Sequence, residues 1–516
     1  MRRSPAFDPF RPRSGVRRAV PALTAVVGLL AVALAPAAWS EAGPTAPATT
    51  ETTADTTVIT APATDTTAPA TSATTVAATS ATTAPATTAT TAKTTATTAK
   101  GSGSTTACPA PAAAPATGTN APVAAVTIPS ATPLPSWGTA KASTGKAGRV
   151  NAVVSVGDTV YLGGAFTKMV APGGGSATAR DHLAAVDART GKLTAWNPHV
   201  DGTIWSLALS ADQKSVYVGG DFHHIGGRSV SKLAKVDLAT GKADPSFHPA
   251  VNGRVRAITL AGTRLYIGGE FTTVAKQSRP KLAAIDPATG ALQAWTPPAL
   301  GRGRYLTHVG TPTPDYDPGH VFAIAVIGGK VFAAGTFTNF ACQGGLVTLD
   351  AATGGLVSPQ YKPGRPVFDL TTANGVLYAV GGGPGGRAWA YSPDKAKPLW
   401  TVKFDGDAVG VATSGSVVYV AGHYDYVVSK DSSCYQYCPG GPTRHHLTAV
   451  NAATGTLVNW NPAFDTSTGP ETAWVGAHAV FVGGEFNKVD GKAQPGLAIF
   501  PTAANPPVAP AAKKKR

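Results

Sequence analysis

One heptapeptide pattern recurs seven times along this chain, and it leaves few folds open. The copies are VYLGGAF (Val160–Phe166), VYVGGDF (Val216–Phe222), LYIGGEF (Leu265–Phe271), VFAAGTF (Val331–Phe337), LYAVGGG (Leu377–Gly383), VYVAGHY (Val418–Tyr424) and VFVGGEF (Val480–Phe486). Each is a β-branched or aromatic run closing on glycine, as where a strand meets a turn or a tight packing contact. The equivalent glycines (Gly164, Gly220, Gly269, Gly335, Gly381, Gly422, Gly484) follow one another at intervals of 41 to 66 residues. A unit of roughly 40–50 residues, lengthened in places by insertions, is the period of a β-propeller blade.

The flanks of each copy are consistent with that reading. A short apolar strand precedes the motif, as at Ile204–Leu209, and another follows it, as at Leu233–Asp237. In five units a Thr-Gly turn comes next (Thr190-Gly191, Thr240-Gly241, Thr289-Gly290, Thr353-Gly354, Thr454-Gly455). The preceding Asp or Asn can accept the turn's own N–H groups, and glycine supplies the positive φ. A fourth strand then ends on an aromatic: Trp196, Phe247, Trp295, Tyr361, Trp400 or Trp460. That is six aromatics for seven units, and the chain reaches Phe500 with only the third strand of the last unit. The surplus piece lies at the other end, at Leu134-Pro135-Ser136-Trp137. The fold expected is all-β: a seven-bladed propeller of four-stranded antiparallel blades, closed by an N-terminal strand that completes the last blade. Closure of that kind removes exposed sheet edges.

The rest of the chain is set by composition. Residues 1–18 hold six Arg, and an apolar run from Ala19 to Ala38 with small residues after it completes a secretory layout. Residues 1–42 are read as a signal peptide or signal anchor, the latter because the run is long enough to span a bilayer. Residues 43–133 are almost wholly Thr, Ala, Pro and Ser, too poor in apolar side chains to collapse, and are read as a disordered linker. Residues 134–501 are the propeller, and 502–516 a disordered basic tail. The formal net charge of +15 is concentrated at the two ends, so a dense basic face for nucleic acid is not indicated. The four cysteines suit an oxidising compartment. Cys434 and Cys438 are expected to pair, whereas Cys108 and Cys342 are left open.

Two family resemblances follow from these residues. The stretch Ala243–Val274, ADPSFHPAVNGRVRAITLAGTRLYIGGEFTTV, resembles the bacterial secreted propeller repeats of the delta-sixty type, through its order of Asp-x-Ser-Phe, hydrophobic strand and Gly-Gly-acid-Phe. The resemblance covers residues 134–501 and implies a propeller, not a particular active site; unit five departs from it at Gly381-Gly382-Gly383. Ala185–Lys192, AVDARTGK, is similar to quinoprotein propeller repeats, although Trp196 stands one residue further from the glycine than in that motif. That second resemblance implies a quinone with calcium, for which no site is recognisable in the residues.

The long insertions fall after second strands or between units, positions that emerge on one face of a propeller. They bring together His223, His224 and Arg228; Arg302, Arg304, Tyr305, His308, Asp315, Tyr316 and His320; and Tyr426, Tyr435, Tyr437, Arg444 and His445. Loops of this kind on a rigid scaffold are binding equipment. Asp221, Glu270 and Glu485 follow the glycine pair at equivalent positions and are candidate cation ligands. No cofactor is expected, a structural cation such as calcium being the one candidate. No nucleophile elbow or zinc-protease motif is present. The expectation is a monomeric, secreted or cell-surface, non-enzymatic propeller of the bacterial envelope. Its partner would be an extracellular protein or a cell-envelope glycan, not nucleic acid, and the N-terminal apolar segment would supply any membrane anchoring. The alternative is a propeller enzyme, either a quinoprotein-like oxidoreductase or a polysaccharide lyase or glycosidase.

Overall fold

The computed structural model describes residues 128–140, 147–301, 306–308, 311–312, 319–338, 344–383, 385–428, 441–465 and 469–502. The signal segment, the linker up to residue 127, the basic tail beyond residue 502 and all four cysteines lie outside them. Among the described residues there is no α-helix, only a 3-10 turn at Pro172–Gly174.

Each copy of the glycine motif forms the second strand of one antiparallel sheet. Sheet one is Arg149–Val156, Thr159–Ala165 and Leu183–Asp187. Sheet two is Thr203–Leu209, Ser215–Asp221 and Leu233–Asp237. Sheet three is Val255–Ala261, Arg264–Gly269 and Leu282–Ile285. Sheet four is Val321–Ile327, Lys330–Thr338 and Gly344–Asp350. Sheet five is Val367–Ala373, Val376–Gly381, Arg387–Tyr391 and Pro398–Phe404. Sheet six is Ala408–Thr413, Val417–Gly422 and Leu447–Asn451. Sheet seven is Pro470–Val475, Ala479–Gly484 and Leu497–Pro501.

The expected fourth strand is a continuous ladder only in sheet five. In sheets one, two, three, four and six it shrinks to a single bridge: Val186↔Leu193, Val236↔Ala243, Ile285↔Leu292, Leu349↔Leu356 and Val450↔Leu457. In sheets three and six the backbone folds back on itself at the aromatic, whereas Trp400 of sheet five stays in the ladder opposite Ala390. The Trp295 N–H donates to the Gln293 carbonyl at 2.8 Å, and Trp460 does the same to Val458. The Thr-Gly turns behave as their chemistry implies: Asp187 Oδ1 accepts the N–H groups of Arg189 and Thr190 and the Thr190 hydroxyl, a pattern repeated at Asp237, Asp286, Asp350 and Asn451.

The apolar core is divided between the sheets. Every cluster of buried side chains is shared by two successive sheets, and one joins Phe481, Leu497 and Ile499 of sheet seven to Val150, Val153 and Leu162 of sheet one. The strand-four aromatics meet the motif aromatics within these clusters, as in Tyr161–Trp196 at 5.0 Å and Tyr419–Trp460 at 5.4 Å between ring centroids. Their polar tips then reach the following sheet. Trp196 Nε1 donates to the Asp237 carbonyl, Tyr217 Oη to Pro287, Trp295 Nε1 to Asp350, Tyr361 Oη to Ser392 and Trp400 Nε1 to Ala452. Trp460 Nε1 donates to Ser130, and Trp474 Nε1 of sheet seven to Ser155 Oγ of sheet one. Buried aromatics that satisfy their polar atoms in this way combine packing with orientation.

The segment Ile128–Ala140 lies along sheet seven. Ser130 and Leu134 donate backbone N–H bonds to Pro501 and Ile499 at 2.8 and 2.7 Å. Ile499 is the third residue of its strand, as Ala185 is of Leu183–Asp187, and Ala185 accepts from Thr194 in the same way. Trp137 packs against the cluster shared by sheets one and seven. The next residues, Gly138–Thr139, pair with Lys168–Val170 of sheet one. The equivalent crossings elsewhere pair Val200 with Ile225, Val251 with Val274 and Phe464 with Val489.

Candidate functional site

The first strands of all the sheets line one cavity of about 960 Å³, with contributions from Asn151 in sheet one to Trp474 in sheet seven. A register irregularity sets which side chains enter it. In each first strand one residue is skipped by the ladder: Asn151, Trp205, Arg256, Phe322, Phe368, Val409 and Glu471 are bulged, the residues on either side pairing with consecutive partners. All of them line the cavity. A bulge re-aims a side chain that strict alternation would send elsewhere, and here it does so at one level in every sheet.

The ring of bulged residues is two-sided. From sheet two to sheet five runs a stack: the Arg256 guanidinium lies 4.2 Å over the Trp205 ring and 5.6 Å from Phe322, and Phe322 faces Phe368 at 6.0 Å. On the other side are Glu471 and Asn151, the latter donating Nδ2 to the Ile204 carbonyl at 2.8 Å. Glu471 lies 3.5 Å from both Arg149 and His423. Burial alone would lower the His423 pKa, but Glu471 and Asp407 outweigh it and the net shift is upward.

The candidate cation ligands are engaged by cationic side chains. Asp221 meets Lys232 at 2.6 Å and Arg254 at 2.7 Å. Glu270 joins Arg254, Arg256 and, at 4.0 Å, His320; Glu485 meets Arg149 at 3.2 Å. Burial would raise the Asp221 pKa; Lys232 and Arg254 reverse this and hold it low. Among the described residues no group of three or more His, Cys, Asp or Glu is arranged to hold a metal ion.

Of the candidate binding residues, His223, His224 and Arg228 lie at the hairpin beyond the second strand of sheet two, with His224 Nδ1 2.7 Å from Asp201. Asp201 also accepts the N–H groups of both histidines, and although burial opposes it, these bonds bring its pKa down to about 2. Tyr426 bridges Thr443, Arg444 donates to the Thr443 carbonyl, and His445 stands 3.6 Å from Asp425, all in the same position on sheet six. His320 opens sheet four at the same end. His308 ends the short strand Leu306–His308. Arg302, Arg304, Tyr305, Asp315, Tyr316, Tyr435, Tyr437 and the Cys434–Cys438 pair lie outside the described residues.

The bulged ring was not picked out from the sequence, although a signal exists. The bulged residue stands thirteen positions before the second motif glycine in six copies and fifteen before it in sheet two. A second overlooked pattern is an Asp or Asn at four of the crossings. Asp201, Asn252, Asp405 and Asp465 each accept two successive N–H groups at the end of the next sheet's motif.

Asp369, beside the ring, keeps some surface on the cavity while the inner strands of sheets five and six enclose its carboxyl group. That enclosure pushes its pKa up to about 7, despite accepted bonds from the Val411 and Leu370 N–H groups. The folded chain therefore holds a proton there that the unfolded chain has already released, and stability falls as pH rises from about 4 to about 7, by of order 1 kcal/mol per pH unit. Denaturant unfolding across that range should show the loss in the native chain, and Asp369→Asn should flatten this part of the slope. Parallel profiles would refute the assignment.

Two family models match parts of the chain. The model described as "Outer membrane protein assembly factor BamB" matches residues 301–477, and that described as "Domain of unknown function (DUF5122) beta-propeller" matches residues 214–247. No curated protein matches. Among solved structures, the computationally designed Ika8 protein overlays with a TM-score of 0.41 at 11% identity, over 72% of this chain and 99% of its own. The family matches, together with the sheets, make this a propeller-type repeat protein.

Proposed function

We propose that residues 128–502 form one closed ring of seven four-stranded blades, the segment around Leu134 supplying the last blade's fourth strand. The ring is read as an envelope-facing, non-enzymatic module that binds an extracellular protein or a cell-envelope glycan. Supporting closure are the cluster shared by sheets seven and one, the cavity lined by every first strand, and the crossing at Gly138–Thr139, which matches the other crossings. The observation that carries the binding reading is topological. The 302–318 connection enters sheet four at the start of its first strand, and the 429–440 connection follows the second strand of sheet six, so both leave the same end of their sheets. The BamB description belongs to an assembly factor of the outer membrane, which favours the envelope and a protein partner.

Deleting 429–440 tests this. Val427 already donates its N–H to the Pro442 carbonyl at 3.0 Å, so rejoining the chain there leaves the ends in place. The native chain should retain a partner in a pull-down from envelope extract or on a glycan array, and the deletion should weaken that binding by tenfold or more, about 1.4 kcal/mol. Equal binding by the deletion variant would count against the loop face. The enzyme alternative draws on one observation, the raised pKa of Asp369 on the cavity wall. Turnover of an envelope polysaccharide, lost in Asp369→Asn, would favour it.

A further inference from the structure

The ring of bulged residues has the chemistry of a sugar site, and we infer that the cavity binds a neutral saccharide with one ring lying against Phe322 and Phe368. The location rests on the propeller reading above, but not on the loop face proposed there. A pyranose has an apolar C–H face and a rim of hydroxyls. The bulged residues present both at one level: Trp205, Phe322, Phe368 and Val409 on one arc, Asn151 and Glu471 across from them. The two phenylalanines, inclined at 53°, form an apolar shelf of the kind that C–H groups stack on. Each keeps part of its surface on the cavity.

The charges point to a neutral ligand. Arg256 is held by Glu270, and Glu471 by Arg149 and His423, so the ring has donors and acceptors with its formal charges already compensated. An ionic ligand would have to displace those pairs, whereas a hydroxyl can share them. Beyond the ring the wall continues past Leu207, Leu260 and Trp474 to Asn374 and Ser414 at the far hairpins. A cavity of about 960 Å³ therefore has room for more than one sugar unit, at the upper end of the usual range for small-ligand sites of about 300–1,000 Å³.

The test is calorimetric titration of the full chain with glucose, galactose, mannose, N-acetylglucosamine and their trisaccharides, and with glucuronic acid as the anionic counterpart. At least one neutral probe should bind saturably. Phe368→Ala should weaken it about tenfold or more. Phe368→Leu, which keeps most of the volume without the flat face, should follow Phe368→Ala, and thermal unfolding checks that each variant is folded. Deleting 429–440 should leave this binding intact even where it removes the partner on the loop face. The inference fails if no neutral probe binds, if glucuronic acid binds as tightly as the neutral sugars, or if the Phe368 variants bind as the native chain does. It fails equally if the 429–440 deletion abolishes sugar binding.

Discussion

A chain that begins at Lys141 should be less stable than one that begins at Ile128 by about 4 kcal/mol or more, enough to abolish a cooperative transition in many domains. The missing thirteen residues include Leu134, which is 8% exposed within the cluster shared by sheets one and seven. Burying a leucine contributes about 1.5–3 kcal/mol. The backbone bonds from Ser130, Leu134, Trp137 and Thr139 to Pro501, Ile499, Gly191 and Pro495 would be lost with it, at about 0.5–1.5 kcal/mol each before the entropy of ordering the segment is subtracted. Trp460 Nε1 would also lose its bond to Ser130, and Gln494 Nε2 its bond to Ser136 Oγ at 2.6 Å while keeping the one to the Leu497 carbonyl. Differential scanning calorimetry of the two chains measures the difference. Equal transition temperatures would mean that the segment is ornamental.

The two glycines of the motif should respond very differently to alanine. The second one faces backbone. A Cβ at Gly164, Gly269, Gly335, Gly381 or Gly422 would run into the carbonyl of Arg149, Arg254, His320, Pro366 or Asp407, the residue two positions before the bulge of the first strand. No rotamer relieves that collision, and Gly269→Ala should cost about 3 kcal/mol or more. The first glycine faces side chains of the following sheet. A Cβ at Gly268 would lie 2.5 Å from a Val321 methyl, and one at Gly483 2.6 Å from a Val150 methyl. Side chains can shift, and sheets four and six already carry Ala334 and Ala421 at this place, so Gly268→Ala should cost about 1–2 kcal/mol. Chemical denaturation of the pair decides. Equal losses would show that the bulges are not pinned by the second glycine.

The sequence was most informative where a physical constraint repeats. The glycine motif recurs because every sheet needs the same close approach of its first two strands, and so each copy reads as a second strand from the sequence itself. The Asp-x-x-Thr-Gly turns were legible for the same reason: Asp187 and its equivalents satisfy a local need that the sequence states within four residues. The fourth strand is shorter than its aromatic suggests: in sheets three and six the backbone folds back at Trp295 and Trp460, whereas Trp400 of sheet five stays in the ladder. The bulged ring was overlooked because its members share no residue type. Asn151, Trp205, Phe368 and Glu471 are equivalent only in register, and register becomes visible once positions are counted back from the glycine. The acidic residues after the glycines, candidate cation ligands in the sequence, meet Arg149, Arg254 and Arg256, a proximity that only the assembled sheets reveal.

The claim that the ring is sealed by its own N-terminal segment can be put to amide hydrogen exchange at Leu134. If this N–H is bonded to Ile499 as a strand of the last blade, it should exchange at least about a thousandfold more slowly than an open chain and be released together with the amides of Leu497–Pro501. Exchange of Leu134 at the rate of an unprotected peptide, while the Leu497–Pro501 amides stay protected, would contradict the account.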